Sequence, residues 1–134
     1  VVNGRPYNLS RVDFELELGA VAEWTLESAE APGTPGKLHP YHQHMTHFQV
    51  VAVTDHAPPA DDDQALGLTP ERFASVGDWR DTLPLYATVG YRIRFVAPFE
   101  GRMMVHCHIQ KHSDNGMLAI AAISRTRPAG VEAV

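Results

Sequence analysis

The chain has 134 residues, of which 44% are hydrophobic and 20% charged, and its net charge at pH 7 is -5. This length suits one domain with a single core, and this composition is ordinary for a globular protein and argues against wholesale disorder. The acidic balance, which is densest at residues 61–63, excludes a basic stripe for nucleic acid, and the longest apolar stretches fall far short of the roughly 18 residues of a membrane span.

Hydrophobic alternation predicts a series of short strands. Within residues 11–18, Val12, Phe14 and Leu16 alternate with charged residues, which is the period of a half-buried strand. Short strands separated by Gly, Pro and Asp are typical of an all-β antiparallel sandwich or barrel. Similar alternating or apolar runs follow at residues 20–26, 48–53, 91–96, 103–109 and 117–123.

Three segments lack this alternation. Residues 54–78 contain Pro58-Pro59, the acidic run and Thr69-Pro70, a pair that favours the start of a short helix. We expect one long loop there, with a short helix in it. Residues 31–37 predict a second loop and residues 128–134 a flexible tail, so the domain is expected to span residues 1–127.

Seven of the eight histidines fall into two groups around short motifs. A single histidine on a strand is usually a structural or surface residue, but that interpretation does not account for two such groups. The only cysteine lies in the second group, so an internal disulfide is excluded and the thiol is left for packing, nucleophilic chemistry or metal binding. The groups are His39, His42, His44 and His47, and then His106, His108 and His112 around Cys107.

Strand geometry divides these residues between two faces. Successive side chains of a strand point to opposite faces, so residues of like parity share a face. In His106-Cys107-His108 the two imidazoles therefore lie on one face and the thiol on the other. In residues 39–44, His42 and His44 share a face that His39 opposes. If these two strands pair in register, the thiol and the His39 imidazole meet on one side and the other four imidazoles on the opposite side, so two metal sites are predicted.

The side that carries the thiol gains two more candidate ligands. His112 follows Cys107 by five residues, and Met117 follows after a turn predicted at residues 113–116. A thiolate, two imidazoles and a weak axial thioether are the ligand set of a blue copper centre, which zinc does not require. Taken alone, Met117 fits a core position at the start of the last strand equally well.

Two motifs resemble a known family. His39-Pro40-Tyr41-His42-Gln43-His44 and the run from His106 to His112, followed by Gly116-Met117, are similar to the paired C-terminal copper signatures of multicopper oxidases such as laccases. The resemblance begins at Asn3-Gly4-Arg5-Pro6-Tyr7 and continues through Glu23-Trp24 and residues 78–82 to the last strand. It implies a cupredoxin-like Greek-key fold and a C-terminal plastocyanin-like domain over residues 1–127.

The family pattern also implies the copper ligands. His47 and His56 have no ligand position and are expected to be structural or surface groups. Met45-Thr46 stands where many relatives have a glycine, and Gln43 replaces a common leucine, but neither is a ligand position. The implied ligands are His39, Cys107, His112 and Met117 for type 1 copper, His42 for type 2 copper, and His44, His106 and His108 for the type 3 copper pair.

The implied reaction is that of a copper-dependent oxidoreductase. Type 1 copper would accept electrons from a small reducing substrate and pass them through Cys107 and His106 or His108 to a trinuclear cluster that reduces O2 to water. Such a cluster takes twice the four histidines that this chain offers at the matching positions. The resemblance therefore implies an N-terminal cupredoxin domain, in the parent chain or from an oligomer, that supplies the rest, and an isolated chain that is inactive.

Two alternatives to the oxidase remain at this point. A single-domain blue-copper electron-transfer protein would need only the type 1 ligands, and a zinc or structural module would leave Met117 unexplained. The four further histidines favour the oxidase. Thiolate-copper chemistry coupled to oxygen favours an extracellular or periplasmic setting over a reducing cytosol.

Overall fold

A computed structural model describes residues 1–29, 38–55, 73–86 and 89–125. Within these ranges the chain forms nine strands, β1 to β9, and one short helix, α1, between β8 and β9. The elements in chain order are β1 Phe14–Glu17, β2 Val21–Leu26, β3 His39–Gln43, β4 Phe48–Asp55, β5 Trp79–Arg80, β6 Thr82–Leu85, β7 Val89–Val96, β8 Gly101–Cys107, α1 Gln110–Asp114 and β9 Leu118–Ser124.

The strands form two sheets. One sheet has five strands in the order β1-β9-β8-β3-β6, and the other has four in the order β2-β7-β4-β5. The two-sheet, all-β architecture predicted from the alternation is confirmed. The prediction that pairing is antiparallel holds for the described pairs except β1 and β9, which run parallel. No hairpin joins these two strands, which lie far apart in the chain, so local turn geometry does not impose an antiparallel direction on them.

One apolar core lies between the two sheets. The burial pattern of β7 follows the expected alternation, since Tyr91, Ile93 and Phe95 are buried while the arginines between them are exposed. The ring of Trp24 on β2 lies 5.0 Å from that of Phe95 and 4.9 Å from that of Phe14 on β1, and it therefore connects the sheets. Each large apolar side chain that is fully buried contributes about 1.5–3 kcal/mol to folding.

The pairing of β3 with β8 positions the histidine motifs. The two strands are antiparallel, with Tyr41 opposite Cys107 and His42 opposite His106. Cys107 is buried on the core side of β8, whereas His106 is only partly buried on the other side. The strand β6 covers the second edge of β3 and places Thr82 opposite His42. The five-stranded sheet therefore carries histidine side chains on both faces.

Several element boundaries differ from the sequence predictions. The strand predicted over residues 103–109 ends at Cys107, and the turn predicted at residues 113–116 is instead the end of α1 followed by a two-residue turn. A 2.7 Å hydrogen bond from the Gln110 amide to the Asp114 carboxylate supports this helix across its single turn. Strands β5 and β6 had no predicted counterpart.

Some predictions fall on residues that the structure does not describe. The long loop was predicted over residues 54–78, but β4 continues to Asp55, and the predicted capped helix at Thr69 lies outside the described residues. The predicted loop at residues 31–37 and the predicted tail also lie outside them. Among the residues that are described, no helix is long and apolar enough to cross a membrane.

Candidate metal centre

The first group of donor atoms lies on the core side of the five-stranded sheet. It combines Cys107 from the end of β8, His39 from the start of β3 and His112 from α1. The Cys107 Sγ atom lies 3.5 Å from His112 Nδ1 and 3.9 Å from His39 Nδ1, and the two Nδ1 atoms are 3.2 Å apart. Three soft or borderline donors from three elements therefore converge on one point.

These distances fit a single bound transition-metal ion. Sulfur and nitrogen ligands held trigonally at about 2.3 and 2.0 Å from one ion lie roughly 3.5 to 3.8 Å from each other. The three observed separations bracket this range closely. The donor set of one thiolate and two imidazoles is also the trigonal set that proteins use for blue copper.

The thiol of Cys107 is chemically suited to a metal. Burial raises the pKa of this thiol, and a hydrogen bond from the backbone of Ile109 opposes the rise. The metal-free protein therefore favours the neutral thiol, and a bound cation would supply the charge that holds the thiolate. Because the side chain is only 3% exposed, the sulfur is also shielded from bulk solvent.

The backbone of Met117, the fourth predicted ligand, is hydrogen-bonded to two residues of this group. The Met117 carbonyl accepts a 3.0 Å hydrogen bond from the Cys107 amide, and the Met117 amide donates to the His112 carbonyl at 3.0 Å. Its side chain is half-buried. These bonds fold the segment after α1 back onto β8, so the Met117 backbone lies next to both of these ligand positions.

The second group of donors lies on the opposite face of the same sheet. His42, His44 and His106 each offer a ring nitrogen within 4.8 Å of the others, and the Nε2 atoms of His44 and His106 are 3.1 Å apart. His108 follows the end of β8, and its ring centroid lies 5.6 Å from that of His106 and 5.4 Å from that of His42. All four predicted imidazoles are therefore neighbours, with His108 at the exposed edge.

Hydrogen bonds to Nδ1 orient two of these rings. His106 Nδ1 lies 2.9 Å from the Cys107 carbonyl oxygen, and His42 Nδ1 lies 3.1 Å from the Asp81 carbonyl oxygen. A carbonyl oxygen only accepts, so these contacts favour a proton on Nδ1 in both rings and leave Nε2 with its lone pair. This is the form in which a histidine binds a metal through Nε2.

The surroundings of His44 favour its neutral form, which can bind a metal. Desolvation lowers the pKa of His44, and the neighbouring rings of His42, His106 and His108 lower it further. The neutral imidazole, which is the form that binds metal ions, is therefore favoured near neutral pH. The structure thus brings together the histidines that strand parity assigned to this face.

Two residues near this face were not identified as site residues from the sequence. Asp81, between β5 and β6, and Thr82, the first residue of β6, both contact the His42 ring. Their only sequence signal is their place within residues 78–82, which belong to the region of family resemblance. His47 is exposed and belongs to neither donor group, and His56 lies outside the described residues.

Comparisons with known proteins agree with this arrangement. A family model described as multicopper oxidase matches residues 1–126. A multicopper oxidase (mco) of Staphylococcus haemolyticus is 30% identical over 117 residues, which are 87% of this chain and 23% of that protein.

Solved structures give the same result. A multicopper oxidase of Campylobacter jejuni, described as a metallo-oxidase, superposes with a TM-score of 0.71 at 26% identity, over 91% of this chain and 22% of that one. A laccase of Pediococcus acidilactici superposes with a TM-score of 0.70 at 27% identity, over 90% of this chain and 23% of that one. The chain therefore spans about a quarter of the length of the relatives that it matches.

The family match over residues 1–126, the two-sheet fold and the two groups of copper-type donors agree with one another. The chain belongs to the multicopper oxidase family.

Proposed function

We propose that this chain is the C-terminal copper-binding domain of a laccase-like multicopper oxidase and supplies one complete copper site and half of another. The observation that carries the proposal is that two donor groups lie on opposite faces of one sheet and are joined by the tripeptide His106-Cys107-His108. An oxidase needs such a connection between the place where electrons enter and the place where oxygen is reduced.

The first group would hold type 1 copper through His39, Cys107 and His112, and Met117 would be the fourth ligand. The second group would hold part of a trinuclear cluster, with His42 at type 2 copper and His44, His106 and His108 at the type 3 pair. Bound copper would supply one-electron oxidation of a small reducing substrate at the first site and reduction of O2 to water at the second.

The chain's own residues would provide the route between the sites. Cys107 contributes its thiolate to the first site, and its two peptide bonds lead directly to the two histidines of the second. The 2.9 Å hydrogen bond from His106 Nδ1 to the Cys107 carbonyl adds a shortcut beside the covalent path. The low exposure of Cys107 keeps water away from the sulfur end of this route.

The second site needs ligands from another domain. Four imidazoles of this chain form one face of it, and His108 is exposed at the edge where a partner would dock. We propose that an N-terminal cupredoxin domain, in the same parent chain or in an associated copy, provides the remaining histidines. An extracellular or periplasmic location would suit this thiolate-copper chemistry.

A single-domain blue-copper electron carrier is the alternative from another functional class. It would require only the first donor group. The approach of His42, His44 and His106 to within 4.8 Å on the opposite face favours the oxidase, because an electron carrier has no use for that cluster.

The test is to load the purified chain with Cu(II) and to record visible absorption, EPR and bound copper. We expect an intense blue band with narrow hyperfine splitting, abolished in Cys107→Ser and retained in the matched control His47→Ala. A folded, copper-loaded chain without a blue band would contradict the type 1 assignment.

The same sample distinguishes the oxidase from the electron carrier. We expect a second copper to bind with an ordinary, non-blue EPR signal that His44→Ala removes. We also expect no oxygen-dependent oxidation of a generic phenol by the isolated chain. Binding of one copper only, with no second signal, would instead support the electron carrier.

A further inference from the structure

Two residues outside the predicted ligand set, Asp81 before β6 and Thr82 at its start, contact the ring of His42. Thr82 lies directly opposite His42 in the β3–β6 pair, and its Oγ1 atom is 2.9 Å from His42 Nδ1. The Asp81 carbonyl oxygen is 3.1 Å from the same nitrogen. One ring nitrogen therefore faces oxygen atoms of two consecutive residues.

The two contacts differ in what they can do to the ring. The Asp81 carbonyl also accepts a 2.9 Å hydrogen bond from the Gln43 amide, so it is shared between two donors. Thr82 has a hydroxyl that can either accept a proton from His42 Nδ1 or donate its own proton to that atom. If it donated, the ring proton would move to Nε2 and block the atom that a metal needs.

The carboxylate of Asp81 settles the direction of this hydroxyl. Thr82 Oγ1 lies 3.0 Å from Asp81 Oδ1, and a carboxylate oxygen only accepts, so the hydroxyl proton points toward Asp81. The lone pairs of Oγ1 are then presented to His42, and the chain of donors runs from His42 through Thr82 to Asp81. Hydrogen bonds that end on a charged acceptor are about twice as strong as neutral ones.

We infer that Asp81 is a positioning residue that acts through Thr82 to keep the proton of His42 on Nδ1 and its Nε2 free for copper. The inference rests on the proposed function, since it concerns a ligand of the proposed second copper site. Outer partners of this kind fix the tautomer and orientation of ligating histidines and raise their basicity. Asp81 itself is exposed and is not proposed to touch the metal.

The decisive readout is the tautomer of His42 in the metal-free chain, measured by long-range 1H–15N NMR. We expect the Nδ1–H form in the wild type and a large population of the Nε2–H form in Asp81→Ala, because the freed hydroxyl can then donate to Nδ1. Adding Thr82→Val to Asp81→Ala removes that competing donor. The double variant should therefore return to the Nδ1–H form, held by the backbone carbonyl of residue 81 alone, which loss of the local structure would not allow.

The affinity for the second copper gives a second readout, and the blue band of the first site serves as its internal reference. Asp81→Ala should weaken binding of the second copper by about 10–100-fold while the blue band of the first site stays unchanged. The double variant should recover most of this loss. Asp78→Asn is the matched control, because it removes a nearby charge whose carboxylate instead pairs with Arg80 at 2.8 Å.

Each outcome has a definite meaning. A wild-type His42 in the Nε2–H form, an unchanged tautomer in Asp81→Ala, or no recovery in the double variant would each overturn the inference. The NMR result does not depend on copper, so absence of a blue band would contradict the proposed function without touching this result. A changed tautomer with unchanged affinity for the second copper would also overturn the inference.

Discussion

Met45 follows the His42–His44 pair with a backbone conformation that methionine rarely adopts. Its φ is +69°, in the left-handed region, and its side chain is 40% exposed. Residues other than glycine pay about 1–2 kcal/mol in this region, with Asn and Asp tolerated best. The glycine that the family resemblance places here in many relatives therefore has a physical reason, and this chain accepts strain beside a proposed ligand.

Replacing Met45 with glycine should relieve this strain. Glycine loses about 0.5–1 kcal/mol through backbone entropy, so we expect Met45→Gly to gain up to about 1 kcal/mol of unfolding free energy and a few degrees in Tm. Asn3→Gly is the matched control, because Asn3 has φ +47° but is a residue that tolerates it. Thermal unfolding of the metal-free proteins measures both, and an equal or smaller gain for Met45→Gly would contradict the argument.

Reasoning from single residues predicted which face of the sheet each donor occupies, but it did not predict the residues that surround the donors. Strand parity was enough to place Cys107 and His106 on opposite faces, because the period of two is a local property. The contact of Asp81 with His42 depends on pairing between residues about forty positions apart, and no local pattern encodes it. Gln43 stands where a leucine is common in the family pattern, and it is 1% exposed. Its buried amide oxygen accepts a 2.8 Å hydrogen bond from the Tyr41 hydroxyl, a contact that the sequence did not predict.

At the scale of elements, the segment before β1 packs against the loop that follows α1. The Tyr7 amide donates a 3.0 Å hydrogen bond to the Gly116 carbonyl. A Cβ atom on Gly116 would lie 3.0 Å from the Tyr7 nitrogen and 3.1 Å from Pro6 Cβ, and the φ of Gly116 is +91°. Glycine is therefore favoured at this position for two reasons: the backbone has a positive φ, and the N-terminal segment leaves little room for a Cβ atom. The loop lies between His112 and Met117, so the packing supports the proposed type 1 site.

Gly116→Ala should disturb this packing. We expect a loss of stability larger than that of Gly77→Ala, because Gly77 has a similar φ of +100° but nothing within 4 Å of an added Cβ. We also expect a shifted or weakened blue band for Gly116→Ala alone, since the loop positions two proposed copper ligands. Denaturant unfolding and visible absorption measure the two effects, and equal losses in both variants would show that conformation alone matters.

Strands with a regular alternation of apolar and polar residues were predicted most accurately. Strands whose position depends on pairing with a remote strand were predicted least accurately. The strand β7 and the core of β8 follow their patterns, because each has one buried and one exposed face. Strand β5 has only two residues, and the alternation of β6 covers only four and includes Pro84, which argues against a strand. The parallel pairing of β1 with β9 has no local signal either, since direction depends on the course of the whole chain.

At the scale of the whole molecule, we expect metal binding and folding to be coupled. The first donor group joins β3 to β8 and α1, which follow about seventy residues later, so His39 meets Cys107 and His112 only when the sheet is formed. A ligand that binds only the folded state at a free concentration one hundred times its Kd adds about 2.7 kcal/mol of stability. Copper should therefore stabilise the native state as a whole.

Anaerobic unfolding with and without Cu(II) measures this coupling. We expect copper to raise the Tm of the wild type, Cys107→Ser to lose the part of the gain that belongs to the first site, and His47→Ala to keep all of it. Addition of a chelator should return the wild type to its metal-free Tm. A gain that survives in Cys107→Ser at full size would place the stabilising ion elsewhere.

Both donor groups depend on the register in which β3 pairs with β8. A slip of one residue would turn every side chain of β3 to the other face, so His42 would enter the core and His39 would leave it. Both donor groups would be lost in the same event, because each takes members from both strands. If the first group holds type 1 copper as proposed, a blue colour on copper loading would report that these two strands are correctly aligned, and a misaligned chain would stay colourless.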